Sequence, residues 1–351
     1  MEVSERGASG NEPTIADVAE AAKTSIRTVS RVLNDSPKVN EETRERVKRA
    51  IALLNFRPSP RARALAMGRS LLIGMLHNDR NALVLDTVQR GIGGEATRRG
   101  YELITHSVDL GGDEAIADVL AFARRTRIDG LVVLPPVSGI IGLPEALKAE
   151  NIHAVAVSAV HLDGYPAVVL SHERKAAGDV AKYLIELGHD NIALINGPQD
   201  MISARERRSG FLEALDASGI TPAMEVEGDY TLASGRAAAE EILSRTSLPT
   251  AVFAANDIMA AGVLKIAAEK GIRVPDDLSV VGFDGSVLAE MLIPSLSTVS
   301  RPFGKMAELA TSHLLNLIEG KPLKTDSPPL GLTLLPSRSS GPATPKRHSE
   351  K

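Results

Sequence analysis

The sequence predicts an all-α head joined to a larger α/β core, and three observations carry that prediction. Three short helical patterns follow one another after Thr14, apolar strand-like runs alternate with amphipathic stretches from Ser70 onward, and the charge divides between the two parts. Residues 1–70 hold 13 Lys+Arg against 9 Asp+Glu, a net of +4, while the remainder holds 27 against 35, a net of −8. A basic head attracts a polyanion that an acidic body repels, so phosphate contact is expected in the head alone. A chain of 351 residues implies two or three domains, and 43% hydrophobic with 24% charged residues is ordinary globular composition.

In the head, Ile15, Val18, Ala19 and Ala22 follow the spacing of one buried helical face. Thr14 and Asp17 have the three-residue spacing of a capping box, in which hydroxyl and carboxylate satisfy orphan backbone N–H groups. The second helix takes Ser25 as its N-cap and turns Val29, Val32 and Leu33 inward, leaving Ile26, Arg27, Ser30 and Arg31 outward. After Asn34-Asp35-Ser36-Pro37 a third helix starts at Asn40, with Val47, Ala50, Ile51 and Leu54 on its buried face. Such a trio, with a polar and basic start to its second helix, suits a helix-turn-helix that lays that helix in the major groove. An ordinary three-helix bundle with a solvated basic face fits the same pattern.

Ser59 and Pro60 read as N-cap and first residue of a short helix ended by Gly68. So short a helix is marginal alone in water and orders on packing. The stretches PTIADVAEAAKTSIRTVSRVLN and LNFRPSPRARALAMGRS resemble the head and hinge of the lactose/galactose repressor (LacI/GalR) family. The resemblance implies a sequence-specific DNA-binding transcription regulator, with Thr14, Ser25, Ile26, Arg27, Thr28, Ser30, Arg31, Asn34, Ala62, Arg63 and Leu65 at the DNA. Leu65 maps onto a hinge leucine that wedges into the minor groove and bends the duplex. Lys23-Thr24 stands where Gly-Val is usual in the turn, and Ser59 where Asn is usual.

Core strands are predicted over Leu71–Leu76, Glu102–Thr105, Leu131–Leu134, His153–Val157, Ala167–Leu170, Ile192–Ile195, Ala251–Ala254 and Ser279–Phe283. Amphipathic stretches such as Ala176–Leu187 and Ile258–Lys270 lie between them, which implies parallel sheets covered by helices, with a ligand beyond the strands' carboxyl ends. Ser158, Asn196, Asn256-Asp257 and Asp284 end strands and suit that location, although most such residues merely cap the next helix. SHERKAAGDVAKYLIELGH, ARERRSGF, AANDIMAAG and VVGFD extend the resemblance through the core. It implies two doubly wound parallel-sheet subdomains of the periplasmic-binding-protein-like type I, with an effector in the cleft. Carried over by residue, the implied effector set is Asn78, Ser158, Leu170, Arg207, Tyr230, Asn256 and Asp284. An Arg, an amide and a carboxylate offer donors and acceptors to a polyhydroxylated ligand, and Tyr230 an aromatic face. Ser158 and Leu134 depart from the acidic and amide residues of some sugar-binding members, so the effector's identity does not transfer.

The expected division is 1–12 disordered, 13–58 helix-turn-helix, 59–69 hinge helix, 70–336 core and 337–351 disordered tail. Within the core the N-subdomain takes about 70–170 and 302–329, and the C-subdomain about 171–301 and 330–336. The tail lacks leucine heptads, so a homodimer rather than a tetramer is expected. Gly91-Ile92-Gly93-Gly94-Glu95-Ala96 imitates a dinucleotide fingerprint but lies inside a helical pattern, too far behind its strand. No hydrolase elbow, zinc motif or Walker loop appears, and there is no cysteine, so no enzyme, metal or cofactor is expected. No apolar run approaches the roughly 18 residues of a membrane span and Met1–Pro13 is polar, which predicts a cytoplasmic, nucleoid-associated protein. The partners expected are a palindromic DNA operator and a small effector, a carbohydrate or a derivative of one. A protein corepressor on the core, or a solute receptor, would also use such a core.

Overall fold

The computed structural model describes residues 13–33, 36–56, 68–78, 81–110, 114–323 and 330–343. They fall into two compact units, one within Met1–Ser70 and one within Leu71–Lys351. Asn34, Ser59, Pro60, Ala62, Arg63 and Leu65 lie outside the described residues, as do residues 1–12 and 344–351.

In the head, helices α1 (Ile15–Ala21), α2 (Ile26–Leu33) and α3 (Glu41–Leu53) close on Val18, Val29, Val32, Val47 and Ala50, with Phe56 completing the core. All three starts are capped by side chains. Thr14 Oγ1 accepts from Asp17 N while Asp17 Oδ2 accepts from Thr14 N at 2.7 Å, Ser25 Oγ accepts from Thr28 N, and Asn40 Oδ1 accepts from Thr43 N. Each such cap is worth about 1 kcal/mol, which matters in so small a unit. Lys23 turns the chain between α1 and α2 at φ 49°, a left-handed conformation natural to glycine.

The core holds two parallel sheets. In the first, β1 (Leu72–His77), β2 (Glu102–Ser107), β3 (Gly130–Val133), β4 (His153–Ser158) and β5 (Val168–Leu170) lie in the order β2-β1-β3-β4-β5. In the second, β6 (Ile192–Asn196), β7 (Met224–Glu227), β8 (Ala251–Ala254) and β9 (Ser279–Val281) lie in the order β7-β6-β8-β9. Strands β3, β6, β8 and β9 are buried along their whole length, which is why they read as unbroken apolar runs. Helix α4 (Ala82–Arg98) carries the false dinucleotide fingerprint. A Cβ on Gly91 would fall 2.4 Å from the Gly304 carbonyl oxygen, so this glycine permits close helix packing. Helices α5 (Ala115–Thr126) and α6 (Leu143–Ala149) complete the first subdomain before β5, and α7 (Glu173–Glu186), α8 (Ile202–Asp216), α9 (Leu232–Leu243), α10 (Asp257–Glu269) and α11 (Val287–Met291) belong to the second. Helix α12 (Phe303–Glu319) returns to the first, packing on α4, β3 and β4.

Three strands escaped the sequence reading. Met224–Glu227 is a half-exposed edge strand with alternating polar residues, and β10 (Thr298–Ser300) pairs antiparallel with β11 (Thr333–Leu335) over three residues each. The expected disordered tail from 337 is corrected for residues 337–343. Val280 N donates to Ser339 O at 2.7 Å, Ser339 Oγ donates to Val280 O at 2.6 Å, and Ala343 N donates to Leu187 O at 2.8 Å. Serine composition signals disorder only while its hydroxyls face water, and here Ser339 is fully buried and bonded.

Candidate functional site

Among the described residues of the head, helix α2 presents basic side chains that no carboxylate neutralises. On α3 three of the four basic side chains have acidic neighbours one turn back, Arg44 with Glu41, Arg46 with Glu42 and Lys48 with Glu45, and the fourth, Arg49, donates to the Glu45 carbonyl. Among the described residues Arg27 and Arg31 on α2 have no carboxylate partner. Ser25, Ile26 and Arg27 are exposed, whereas Thr28, Ser30 and Arg31 are half-buried, so the outward face is narrower than the periodicity implied. Ser25 and Thr28 are joined through their hydroxyls at 2.9 Å, and Thr14 is held by its capping box. Ile26, half-exposed at 51%, and Arg27 therefore form the leading edge of α2, where a groove-reading helix places its base contacts.

In the core, the carboxyl ends of the first sheet place Asn78 after β1, Ser158 at the end of β4 and Leu170 at the end of β5, where Ser158 and Leu170 are paired in register. Asn78 is committed locally, its Nδ2 donating to Val108 O at 2.6 Å. Buried Ser158 connects onward: its carbonyl accepts from Ser171 N, and Ser171 Oγ donates to Glu173 Oε1 at 2.9 Å.

On the second subdomain the expected Arg207 and Asp284 meet two residues that the sequence reading did not single out, Glu173 and Arg301. The four form a closed ring of opposite charges. Arg207 Nε lies 2.7 Å from Glu173 Oε2, Arg301 Nη2 2.8 Å from Glu173 Oε1, and Asp284 Oδ1 stands 3.5 Å from Arg207 Nη2 and 3.3 Å from Arg301 Nη1. Their side chains are 0 to 9% exposed. Arg207 lies 4.0 Å above the Phe283 ring and donates to Ala255 O, and Arg301 lies 4.3 Å above Phe303. Burial alone would raise Glu173, but Arg207 and Arg301 hold it below the ordinary carboxylate range. Arg207, which burial alone would push down, is held above its ordinary value by Glu173. The ring is tight on the Glu173 side and looser on the Asp284 side, where Asp284 has φ 118°.

Around the ring, Asn256 caps α10 through Met259 N and donates to Tyr230 O at 3.0 Å. Tyr230 itself has φ 68°, with its ring centroid 5.7 Å from the Arg207 guanidinium. Asp257 accepts from Thr298 Oγ1 at 2.5 Å and from Ser286 N at 2.9 Å. Burial and then the nearby Asp284 charge push the Asp257 carboxyl up to about 7. Arg207, Tyr230, Asn256 and Asp284 are thus brought together, Ser158 is linked to them through Ser171, and among the described residues the side chains of Asn78 and Leu170 make no hydrogen bond or ion pair with the ring. In so dry a site fixed donors and acceptors act more strongly than in water and need no reorganisation to meet a ligand.

Residues 14–59 match bacterial regulatory proteins of the lacI family, and residues 181–340 match the periplasmic binding protein-like domain. Over 311 residues the chain is 32% identical to the lactose operon repressor of Escherichia coli (strain K12), covering 89% of this chain and 86% of that one. The chain belongs to the lacI family. Its lacI-family relatives include the HTH-type transcriptional repressor PurR of Vibrio atlanticus (strain LGP32), 35% identical over 316 residues and covering 88% of this chain and 92% of that one. The lac repressor dimer bound to operator and the anti-inducer ONPF superposes with a TM-score of 0.76 at 32% identity, covering 94% of this chain and all of that one. The protein is accordingly a DNA-binding transcription regulator: a helix-turn-helix head with a core of two periplasmic-binding-protein-like subdomains that binds an effector. Its relatives are repressors, not enzymes. Among the described residues no helix is long and apolar enough to cross a membrane, and no cluster of acidic and His side chains has the makings of a metal site.

Proposed function

We propose that this chain represses transcription as a homodimer on a palindromic operator, and that a neutral polyhydroxylated effector, a carbohydrate or close derivative, controls it from the core cleft. One observation carries the effector class: the Glu173–Arg207–Asp284–Arg301 ring is closed and has no net charge. An anionic ligand would have to displace a carboxylate from it, and a cation an arginine. A neutral ligand with hydroxyls can donate to Asp284 and accept from the guanidinia while leaving the strong Glu173 side intact. The relative solved with operator and anti-inducer is a dimer. Exposed Val287, Met291 and Ile293 give this chain an apolar patch of the kind that a second copy covers. At the DNA, Ile26, Arg27 and Arg31 are the base-reading set, Thr14, Ser25, Thr28, Ser30 and Asn34 support it, and Ala62, Arg63 and Leu65 are the minor-groove set. Such a protein works in the cytoplasm, on the chromosome.

The test is a thermal-shift panel of neutral sugars, sugar acids and sugar phosphates, followed by operator binding with each hit. A neutral sugar at 100 times its Kd should add about 2.7 kcal/mol of stability and change operator occupancy. Asp284→Asn should remove both effects. Stabilisation by anionic ligands alone, or an effector response of unchanged affinity in Asp284→Asn, would overturn the assignment.

A further inference from the structure

The two core subdomains touch at a point away from their crossovers. The chain passes between them after β5, at Leu170–Glu173, and again after β10, at Ser300–Phe303. Strand β5 is an edge of the first sheet, and β9 is an edge of the second, with β10 bridged beside it through Asp284 and Ser300. The contact is reached instead from β3 and β6, each two strands in from those edges, about 10 Å at the spacing of a sheet. There Gly139, at the end of the 3-10 turn Val137–Gly139 that follows β3, meets Ile202, the first residue of α8. A Cβ on Gly139 would fall 3.0 Å from Ile202 Cδ1 and 3.9 Å from its Cγ1.

Both sides of the contact are held. Val137 is fully buried, Ser138 Oγ donates to Val157 O on β4 at 2.8 Å, and Gly139 N donates to Pro136 O at 2.9 Å, so the turn moves with the first sheet. On the other side, Arg205 Nη1 donates to Gln199 O and Asp200 O, each at 2.9 Å, which ties the loop before α8 to the helix. Ile202 precedes Arg207 by five residues on α8, about 7.5 Å along the axis. The helix that takes the contact therefore also carries a member of the effector ring.

We infer that the Gly139–Ile202 contact is the stop that sets how far the two subdomains close over the effector ring, and that this spacing is read at the operator. The inference rests on the cleft being the effector site. A hydrogen at position 139 lets α8 come close, whereas any side chain there would meet Ile202 and hold the cleft wider. Packed interfaces switch between discrete arrangements rather than deform smoothly, so a displacement of less than about 1 Å is enough to favour one of them.

Two measurements on the full chain test this. The chain has no cysteine, so a Gly139→Cys, Ile202→Cys double variant carries its only thiols at the contact, within disulfide reach. Mild oxidation should consume both thiols and leave a chain of monomer mass on a non-reducing denaturing gel. In fluorescence anisotropy at fixed salt, Gly139→Leu should shift operator affinity by about tenfold or more. Adding Ile202→Ala to that variant should return the affinity to within about threefold of the parent. Gly139→Ala, the smaller wedge, should shift it in the same direction as Gly139→Leu, with thermal melts establishing that each variant is folded. Thiols that stay free, folded wedge variants with the parent's operator affinity, or a wedge effect that Ile202→Ala does not relieve would each overturn the inference. None of these readings uses an effector, so their failure is distinct from failure of the sugar panel.

Discussion

Arginine has opposite surroundings in the two units. On α2 of the head, Arg27 is exposed and Arg31 half-exposed, and among the described residues neither meets a carboxylate. In the core, Arg207 and Arg301 are buried and shared between Glu173 and Asp284, each stacked on a phenylalanine. The first arrangement suits a long, hydrated, salt-sensitive contact with a polyanion, because an unpaired surface charge costs little until a partner arrives. The second suits recognition by shape, since a buried charge persists only if its geometry is held on every side. Charge content therefore reports function only after it is divided into paired and unpaired.

The largest expected effect tests the buried half. Glu173→Ala leaves two guanidinia without their common partner and should destabilise the core by about 3 to 5 kcal/mol in chemical denaturation. The exposed Arg124–Glu150 pair, broken by Glu150→Ala, should show no measurable change. Equal effects at the two sites would end the distinction between buried and exposed pairing.

A pH series sharpens it. The folded core holds the Asp257 proton more tightly than the unfolded chain, so between the ordinary carboxylate value of 3.8 and about 7 this group's stabilising contribution falls as pH rises. Its slope cannot exceed about 1.4 kcal/mol per pH unit. Asp257→Asn should remove that component, so that the parent's stability advantage over the variant shrinks from pH 4 to pH 7 in thermal melts. A pH-independent difference would mean that Asp257 does not titrate in this window.

The smallest effect belongs to the head. Arg27→Ala should cost about 1 to 3 kcal/mol on a specific operator and clearly less on random duplex, measured by fluorescence anisotropy at fixed salt. Equal losses on both would make Arg27 a phosphate contact.

The head was legible in sequence almost to the atom because its signals are local. Thr14 and Asp17, Ser25 and Thr28, and Asn40 and Thr43 each meet within one helical turn, and the three inward faces follow one period. The core's strands were legible where burial is complete and lost where it is partial, as at Met224–Glu227. Arg207 and Asp284 were found through motifs that resemble a family. Glu173 and Arg301 were not, because a charge buried by residues more than a hundred positions away looks in sequence like any surface charge. A faint signal existed: Glu173 sits one helical turn before the apolar face of α7, beside Ala176 and Ala177, where a solvated carboxylate has no place.

The segment 337–343 acts as a cover for the outer side of β9. Ser339 exchanges two main-chain-directed hydrogen bonds with Val280, and Gly282 N donates to Ser297 O just beyond. Ending the chain at Pro336 would bare hydrogen-bonding groups on a strand of Ser-Val-Val, a template on which a neighbouring molecule can add a strand of its own. Shortened forms should consequently lose solubility before they lose DNA recognition, whereas an extension appended after Lys351 leaves the cover in place.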